Sequence, residues 1–294
     1  MQLRTVQYDL LLLLTALIWG FAFVAQRAGM ADVGPFTYSA VRFALGCGSL
    51  LPLLLFTLKR EDRAAAASLK TVFCCGGLTG LVLFIAVSLQ QIGMVYTTAG
   101  KAGFITGLYV VLVPILGIFS KQRTAFGTWL GAIIAVVGLY LLSITENFTI
   151  AFGDLLELIG AFFWAGHVHV ISRFSGKIHP IKLAFAQFLV CSILSLLTAL
   201  FFETITLTSL LQAGIPILYG GVCSVGIAYT LQVVAQQHTP AAHAAILLSL
   251  EAVFAVFGGV IILNEILTLR GLLGCAFMFA GMLVSQFLSQ PEKR

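Results

Sequence analysis

Long, almost uniformly apolar runs recur along the whole chain, separated by short polar connections. A helix needs about 20 apolar residues to cross the ~30 Å hydrocarbon core of a bilayer. Runs of about this length lie at 10–26, 36–58, 71–91, 97–119, 126–144, 153–171, 181–202, 214–235, 241–263 and 270–289. Strands of a membrane barrel would alternate apolar and polar residues over about 10 positions, and these runs do not. The pattern therefore predicts an all-α integral membrane protein with ten transmembrane helices.

The distribution of Lys and Arg predicts how these helices are oriented. If the loops alternate between sides, two bases, Arg27 and Arg270, lie opposite the N-terminus, and Arg42 and Lys101 lie inside spans. The other twelve of the 16 bases fall on the N-terminal side, at Arg4, Lys59, Arg60, Arg63, Lys70, Lys121, Arg123, Arg173, Lys177, Lys182, Lys293 and Arg294. Cytoplasmic loops carry an excess of Lys and Arg. We therefore expect a multi-pass membrane protein with both termini in the cytoplasm.

The composition narrows the class of protein further. Of the 294 residues, 60% are hydrophobic and 9% are charged, and the mean hydropathy is +1.06. Soluble domains carry about 25% charged residues, so the sequence excludes a soluble globule, a disordered chain, a coiled coil and a nucleic-acid-binding protein. All six cysteines lie in apolar runs without metal-ligand spacing. We expect buried thiols, no metal site and no cofactor.

The chain matches itself at an offset of 143 to 145 residues. The matches pair Asp9 with Asp154, Trp19 with Trp164, Pro35 with Pro180, Phe43 with Phe188, Gly131 with Gly274 and Gly138 with Gly281. Each half then holds five spans, and an odd number makes the second half enter the membrane from the opposite side. Such inverted repeats are typical of secondary transporters. We predict two five-helix repeats, 1–147 and 148–294, which form one membrane domain and work by alternating access. Because the first span takes part in the repeat, we expect it to be retained rather than cleaved as a signal peptide.

Five segments carry a resemblance to a known family, and they are Ala16–Gly20, Ala99–Tyr109, Leu248–Phe254, Asn264–Glu265 and Gly271–Gly281. They are similar to motifs of the drug/metabolite transporter superfamily in its EamA-type branch. The resemblance implies a ten-helix carrier of the cell inner (plasma) membrane. It also implies a central cavity lined by helices 1–4 and 6–9, with helices 5 and 10 at the periphery. It also implies small metabolites, often amino acids, as substrates and export as the common direction. Ala252 stands where the family often has proline, which puts a hinge at that proline in question.

Three charged side chains stand out inside predicted spans, where insertion costs about 2.5–3.5 kcal/mol each. Glu251 lies ~15 Å into its span, so it could bind a substrate amine, carry a proton or pair with a buried base. Lys101 lies ~6 Å below the outer boundary and could extend to the surface, or pair with Glu251 or a substrate carboxylate. Arg42 could bind a carboxylate through two hydrogen bonds, or bind carbonyls at a broken helix.

Aromatic and amide side chains complete the set of candidate substrate-binding residues. Trp19 and Trp164 lie too deep for an interfacial belt, so they line the cavity or pack at the repeat interface. Further candidates are Tyr109, Tyr229, Gln90 and Gln91. His167 and His169 point about 200° apart on a helix and cannot chelate one metal, although His167 could carry a proton.

These features predict a secondary active or facilitative transporter of small metabolites such as amino acids, with export as the expected direction. The nucleotide-binding pattern GxxxxGK[ST] does not occur in the sequence, so a gradient rather than ATP would drive transport, with protons as a candidate coupling ion. A channel or a membrane sensor is the alternative, followed by an intramembrane lipid-modifying enzyme. The His and acidic residues are scattered over several depths, which argues against an enzyme. We expect a monomer or weak dimer in the lipid bilayer that binds no nucleic acid.

Overall fold

The structure is a computed structural model that describes residues 2–60, 67–96, 99–119, 124–143, 152–263 and 268–288. Several sequence predictions fall outside this part. They concern the side chain of Lys101, the Asn264–Glu265 motif, the boundary between 147 and 148, and a group of basic residues. These basic residues are Arg63, Lys121, Arg123, Lys293 and Arg294, together with the side chains of Arg4 and Arg60.

Within the described residues all regular structure is helical. The helices are α1 (Gln2–Gly29), α2 (Pro35–Arg60), α3 (Leu69–Tyr96), α4 (Ala99–Gly107), α5 (Tyr109–Phe119), α6 (Phe126–Ser143), α7 (Phe152–Phe174), α8 (Pro180–Phe202), α9 (Leu207–Gln212), α10 (Gly214–Leu218), a π-helical segment (Tyr219–Tyr229), α11 (Thr230–Ala235), α12 (Ala241–Ser249), α13 (Glu251–Leu263) and α14 (Leu269–Leu288).

Seven helical stretches among the described residues are long and apolar enough to cross a membrane. They are Val6–Gly29, Pro35–Lys59, Leu69–Tyr96, Phe152–Phe174, Pro180–Phe202, Gly214–Ala235 and Ala241–Ile262. Three apolar helices are shorter, at Ile105–Phe119, Phe126–Leu141 and Leu269–Ser285. The prediction of an all-helical membrane protein is confirmed, while the count of ten spans stays a prediction.

The outer surface of the helix assembly is apolar, unlike that of a soluble protein. Large apolar side chains such as Phe73, Phe119 and Phe201 are exposed on the outer surface, whereas Arg42 and Glu251 are buried. Charged side chains are rarely buried in soluble proteins unless they are paired. An apolar exterior matches the hydrocarbon of a bilayer, and the polar groups are therefore concentrated inside the helix assembly.

Helices of the first half pack mainly on helices of the second. The helix α1 packs on α13 and α7 on α4 and α5, while α2 packs on the π-helical segment and α8 on α3. The helices α6 and α14 pack on each other. A Cβ atom at Gly131 would lie 2.5 Å from the carbonyl oxygen of Gly281, and one at Gly138 would lie 2.7 Å from that of Gly274. These four glycines, which match in pairs in the sequence, therefore allow two backbones to approach closely.

Two of the apolar helical stretches contain a helix break, one at Leu108 and one at Leu250. At the first, the N–H of Leu108 donates to the carbonyl of Ile105 at 3.1 Å, a three-residue bond that tightens the turn. At the second, the N–H of Leu250 donates to the carbonyl of Leu247 at 3.3 Å. The Ser249 hydroxyl donates to the carbonyl of Ile246 at 2.9 Å. A hydroxyl that bonds back to the preceding turn bends a helix. The second break therefore forms without the family's proline.

Candidate functional site

A cavity lies at the centre of the structure where helices of both halves meet. It is lined by Trp19, Phe23, Gln26, Arg42, Gln90, Thr106, Tyr109, Trp164, Val168, Ser224, Tyr229, Gln232, Leu248 and Glu251. The cavity volume is about 30 Å³. This is room for about two waters. The cavity is therefore narrow and would have to widen for a metabolite. The helices α6 and α14, which correspond to the predicted fifth and tenth spans, contribute none of these lining residues. The helix α8 corresponds to the predicted seventh span and contributes none either, although the resemblance implied that this span lines the cavity.

The acidic side of the cavity is formed by Glu251, the first residue of α13, which is 5% exposed. The Tyr109 hydroxyl donates to its Oε1 at 3.3 Å. Within the described ranges this carboxyl group has no cationic partner. Tyr109 is the first residue after the break at Leu108, and Glu251 is the first after the break at Leu250. The two helix breaks therefore meet at this single hydrogen bond.

The basic side of the cavity is formed by Arg42 on α2, which is 2% exposed. Its Cζ lies 5.4 Å from the ring centroid of Tyr38 and 5.1 Å from that of Phe43. Rings at this distance attract a cation and offset part of the cost of burying it. The Nε atom has no hydrogen-bond partner, and no described carboxylate pairs with the guanidinium. The cavity thus holds a positive group without a counter-ion among the described residues.

An aromatic cluster surrounds Tyr229 on one wall. The ring centroid of Trp19 lies 4.6 Å from that of Tyr229, and the ring of Trp164 lies 6.3 Å away at an interplanar angle of 19°. Phe43 and Phe188 pack behind it at 5.9 and 6.1 Å. These are ordinary distances for favourable aromatic pairs. The two tryptophans that match each other in the sequence therefore flank the same tyrosine at the cavity wall.

The position of Tyr229 depends on the π-helical segment, which ends at this residue. Side chains of α1 bind carbonyls of that segment, because Trp19 Nε1 donates to Ser224 at 3.3 Å and Thr15 Oγ1 donates to Ala228 at 3.2 Å. π-Helical turns are rare and frequently occur at functional sites. Here the segment brings Ser224 and Tyr229 to the cavity.

Several buried polar atoms of the cavity wall have no hydrogen-bond partner in the described part of the chain. They are Nε of Arg42, Nε1 of Trp164, Oε1 of Gln26 and Oε1 of Gln232. Most buried polar groups in proteins are hydrogen-bonded, and exceptions call for an explanation. The wall therefore offers two donors and two acceptors to a polar guest.

Seven of the candidate residues from the sequence line the cavity, namely Glu251, Arg42, Trp19, Trp164, Tyr109, Tyr229 and Gln90. His167 does not, because its Nε2 lies 2.8 Å from Oε1 of Gln187 and its ring packs behind Tyr229 at 6.2 Å. Gln91 does not line it either, because its amide donates to the sulfur of Met30. Adjacent residues on a helix point about 100° apart, so only Gln90 faces the cavity.

Seven lining residues were absent from the sequence prediction: Phe23, Gln26, Thr106, Val168, Ser224, Gln232 and Leu248. Helical spacing from the predicted residues would have found most of them. Phe23 and Gln26 follow Trp19 by four and seven positions, and Thr106 precedes Tyr109 by three. Residues three or four apart share one face of a helix. Each predicted residue therefore indicates a whole helix face that lines the cavity, not a single position.

A second polar cluster lies where α1 begins, which we call the His243 cluster (Tyr8, Asp9, His238, His243 and Ser285). His243 Nε2 lies 3.3 Å from Oδ1 of Asp9, and its Nδ1 lies 3.0 Å from Oγ of Ser285. The Tyr8 ring stacks on His238 with centroids 4.2 Å apart. These contacts join α1 to the start of α12, to the end of α14 and to the loop before α12. They hold these elements together at this end of the assembly.

Comparison with known proteins identifies the class of this chain. The model of the EamA-like transporter family matches twice, over residues 6–144 and 151–287. An uncharacterized transporter of Archaeoglobus fulgidus is 36% identical over 269 residues, which cover 88% of this chain and 79% of the relative. The uncharacterized transporter YoaV of Bacillus subtilis is 25% identical over 285 residues, which cover 94% of this chain and 96% of the relative.

A solved crystal structure has the same fold, with a TM-score of 0.78 over 96% of this chain and 97% of that one, at 18% identity. This likeness concerns the fold alone. The family match extends over nearly the whole chain, and the names of the relatives indicate a transporter rather than an enzyme. The protein therefore belongs to the EamA-like transporter family and is a multi-pass membrane transporter.

Proposed function

We propose that this transporter carries small zwitterionic metabolites, such as amino acids, through the central cavity by alternating access. The observation behind this proposal is that Arg42 and Glu251 line one cavity, are both buried, and have no ion-pair partners among the described residues. A guanidinium binds a carboxylate through two parallel hydrogen bonds, and a carboxylate accepts hydrogen bonds from an ammonium group. One zwitterion would therefore complete both halves of the site.

The rest of the wall suits the same guest. The faces of Trp19 and Trp164 can pack on its apolar part, or attract its ammonium group. The acceptors of Gln26 and Gln232 and the indole N–H of Trp164 can bind further polar atoms. Glu251 can hold either the ammonium group or a proton. The two would compete for one carboxylate, which is the arrangement that an exchange of substrate against protons requires.

Alternating access would follow from two inverted five-helix repeats, 1–147 and 148–294, with ten spans in total. The separate family matches to each half support this division. The reciprocal contacts of Gly131 with Gly281 and of Gly138 with Gly274 support a twofold relation, since in such an interface each residue meets the mate of its partner. The helix breaks at Leu108 and Leu250 occupy nearly equivalent positions in the two halves. Broken helices at such positions form the binding sites of many transporters.

The predicted orientation in the inner membrane, with cytoplasmic termini, puts the His243 cluster on the cytoplasmic side. Opening toward the cytoplasm would then separate Tyr8 from His238 and Asp9 from His243. Each pair joins one residue of the first half to one of the second. The cluster would act as the inner gate. Export would load the substrate from this side and release it at the opposite face.

A thermal stability screen of the purified protein tests the proposal. A ligand at 100 times its Kd stabilises the folded state by about 2.7 kcal/mol, which raises the Tm. We expect at least one proteinogenic amino acid to raise the Tm, and both its decarboxylated and its N-acetylated analogue to lose the effect. If an analogue that lacks one charge stabilised as well as the amino acid, the two-charge site would be wrong.

A further inference from the structure

A second buried carboxyl group lies beside the cavity, and the proposed substrate site does not use it. Glu157 on α7 is 1% exposed. The Thr106 hydroxyl donates to its Oε2 at 3.0 Å. Its other oxygen, Oε1, is buried and has no hydrogen-bond partner in the part of the chain described. The carboxyl group is therefore half satisfied, and a bound proton would reduce the cost of burying its charge.

The backbone of α3 is shaped to accept this group. A Cβ atom at Gly93 would lie 2.8 Å from Oε1, 3.0 Å from Cγ and 3.1 Å from Cδ of Glu157. Any larger residue would push the carboxyl group away from its present position. Glu157 is thus packed against the main chain at Gly93 on one side and bound by the Thr106 hydroxyl on the other. These two contacts fix the position of its carboxyl group.

Thr106 connects this carboxyl group to the cavity that contains Glu251. Thr106 and Tyr109 lie on either side of the break at Leu108, and both line the cavity. Each hydroxyl donates to one buried glutamate, Thr106 to Glu157 and Tyr109 to Glu251. The cavity that both hydroxyls line has space for about two waters, and a bridging water is nearly as favourable as a direct hydrogen bond.

The charged and titratable neighbours of Glu157 come from the helices packed on α7. Asp154 lies one turn earlier on α7 itself, and Tyr96 at the end of α3 packs on Phe152. The helix α4 carries Lys101, whose side chain lies outside the described part. The helix α5 contributes Tyr109, which binds Glu251, and α12 contributes His243, which contacts Asp9. None of the described cations pairs with Glu157.

We propose that Glu157 is a second proton-binding site, which relays protons between the outer side and Glu251 by way of Thr106 and cavity water. In the predicted topology α7 begins at the outer face, so Glu157 lies between that face and Glu251. The protonated Glu157 carboxyl group gives its proton to the Thr106 oxygen while the Thr106 hydroxyl gives its own proton to a cavity water, which passes one proton to the Glu251 carboxylate, with no change in oxidation state. The inference rests on the proposed function only in taking Glu251 as the other end of the path.

Infrared titration of the purified protein without any substrate tests the site directly. A protonated carboxyl group has a C=O stretching band that the carboxylate lacks. We expect acidification to produce a band that disappears in Glu157→Gln, shifts in Thr106→Val and persists in Glu203→Gln. Glu203 is the matched control, because it binds the N–H groups of Phe36 and Thr37 at 2.9 and 2.7 Å and does not line the cavity. If the Glu157→Gln spectra matched the wild-type spectra at every pH, the proton site would be wrong.

A pH jump tests the relay. We expect Glu251, followed by its own band and assigned with Glu251→Gln, to take up its proton about 100-fold more slowly in Glu157→Gln, the lower range for a positioned proton-transfer group. Thr106→Val should slow it as well, and Glu203→Gln should not. An unchanged rate in both path variants would overturn the relay. Neither measurement uses a ligand, so failure here is distinguishable from failure of the amino-acid screen.

Discussion

The substitution Arg42→Lys is the sharpest test of the proposed carboxylate site, because it keeps the positive charge and removes the planar two-pronged donor. A hydrogen bond to a charged group contributes about 1.5–3 kcal/mol. Loss of one such bond to the substrate carboxylate should weaken binding about 10- to 150-fold. The lysine would also lose the stacked geometry over Tyr38 and Phe43, whose ring centroids lie 5.4 and 5.1 Å from Cζ of Arg42.

The control for the lost ring contact is Arg270→Lys. The Cζ of Arg270 lies 5.4 Å from the ring centroid of Tyr140, the same distance as between Arg42 and Tyr38, but Arg270 does not line the cavity. Calorimetric titration with the most stabilising amino acid should show the loss in affinity for Arg42→Lys alone. A cation–π contact contributes about 0.5–2 kcal/mol, so both variants can lose some thermal stability.

The decisive comparison uses a ligand without a carboxylate. The decarboxylated amine has nothing for Arg42 to bind, so its weaker affinity should be the same in the wild type and in Arg42→Lys. If Arg42→Lys weakened the amine as much as it weakened the amino acid, the effect would arise from a change in cavity shape. The assignment of Arg42 to the carboxylate would then be refuted.

Three further predictions concern the other end of the site, the packing and the gate. Glu251→Gln keeps the shape of the side chain and should weaken the binding of an amino acid more than that of its N-acetylated analogue, measured by the same titration. Equal losses of affinity would contradict an ammonium site. Gly138→Ala should lower the free energy of unfolding by about 1–3 kcal/mol through overpacking, because a Cβ would lie 2.7 Å from a backbone oxygen. Gly77→Ala is the control, because no atom lies within 4 Å of the added Cβ. Denaturation should show the loss of stability in Gly138→Ala alone. Asp9→Asn should speed cytoplasmic labelling of a Gln232→Cys reporter in a chain without other cysteines; unchanged labelling would argue against an inner gate.

The sequence predicted the charged and aromatic parts of the site because their cost or their repetition is visible in one chain. Arg42 and Glu251 stood out because a charge in an apolar span is expensive, and Trp19 and Trp164 because they recur at a fixed offset. Both pairs line the cavity. The structure gives these residues a common location, and their roles stay predictions.

The orientation of each helix about its own axis was harder to predict. The helix α3 is apolar on all faces, and such a helix has no polar stripe to mark which side is buried. Gln90 and Gln91 therefore looked equivalent, although only Gln90 faces the cavity. The π-helical segment was equally difficult to predict from local sequence, because the hydrogen bonds that bind it come from Thr15 and Trp19 on the distant helix α1.

Arg42 and Glu251 come from different halves of the chain, and this has a consequence for the proposed transport cycle. Moving an unpaired charge through a water-poor interior costs several kcal/mol. A zwitterion bound to both residues would compensate both charges and join the two halves into one unit. A proton on Glu251 would remove one of the two charges when no substrate is bound. A ligand shifts a conformational equilibrium only by its differential affinity for the two states. The loaded and the protonated states would therefore change access more readily than the empty, charged state, which favours exchange of substrate for protons over uncoupled leak.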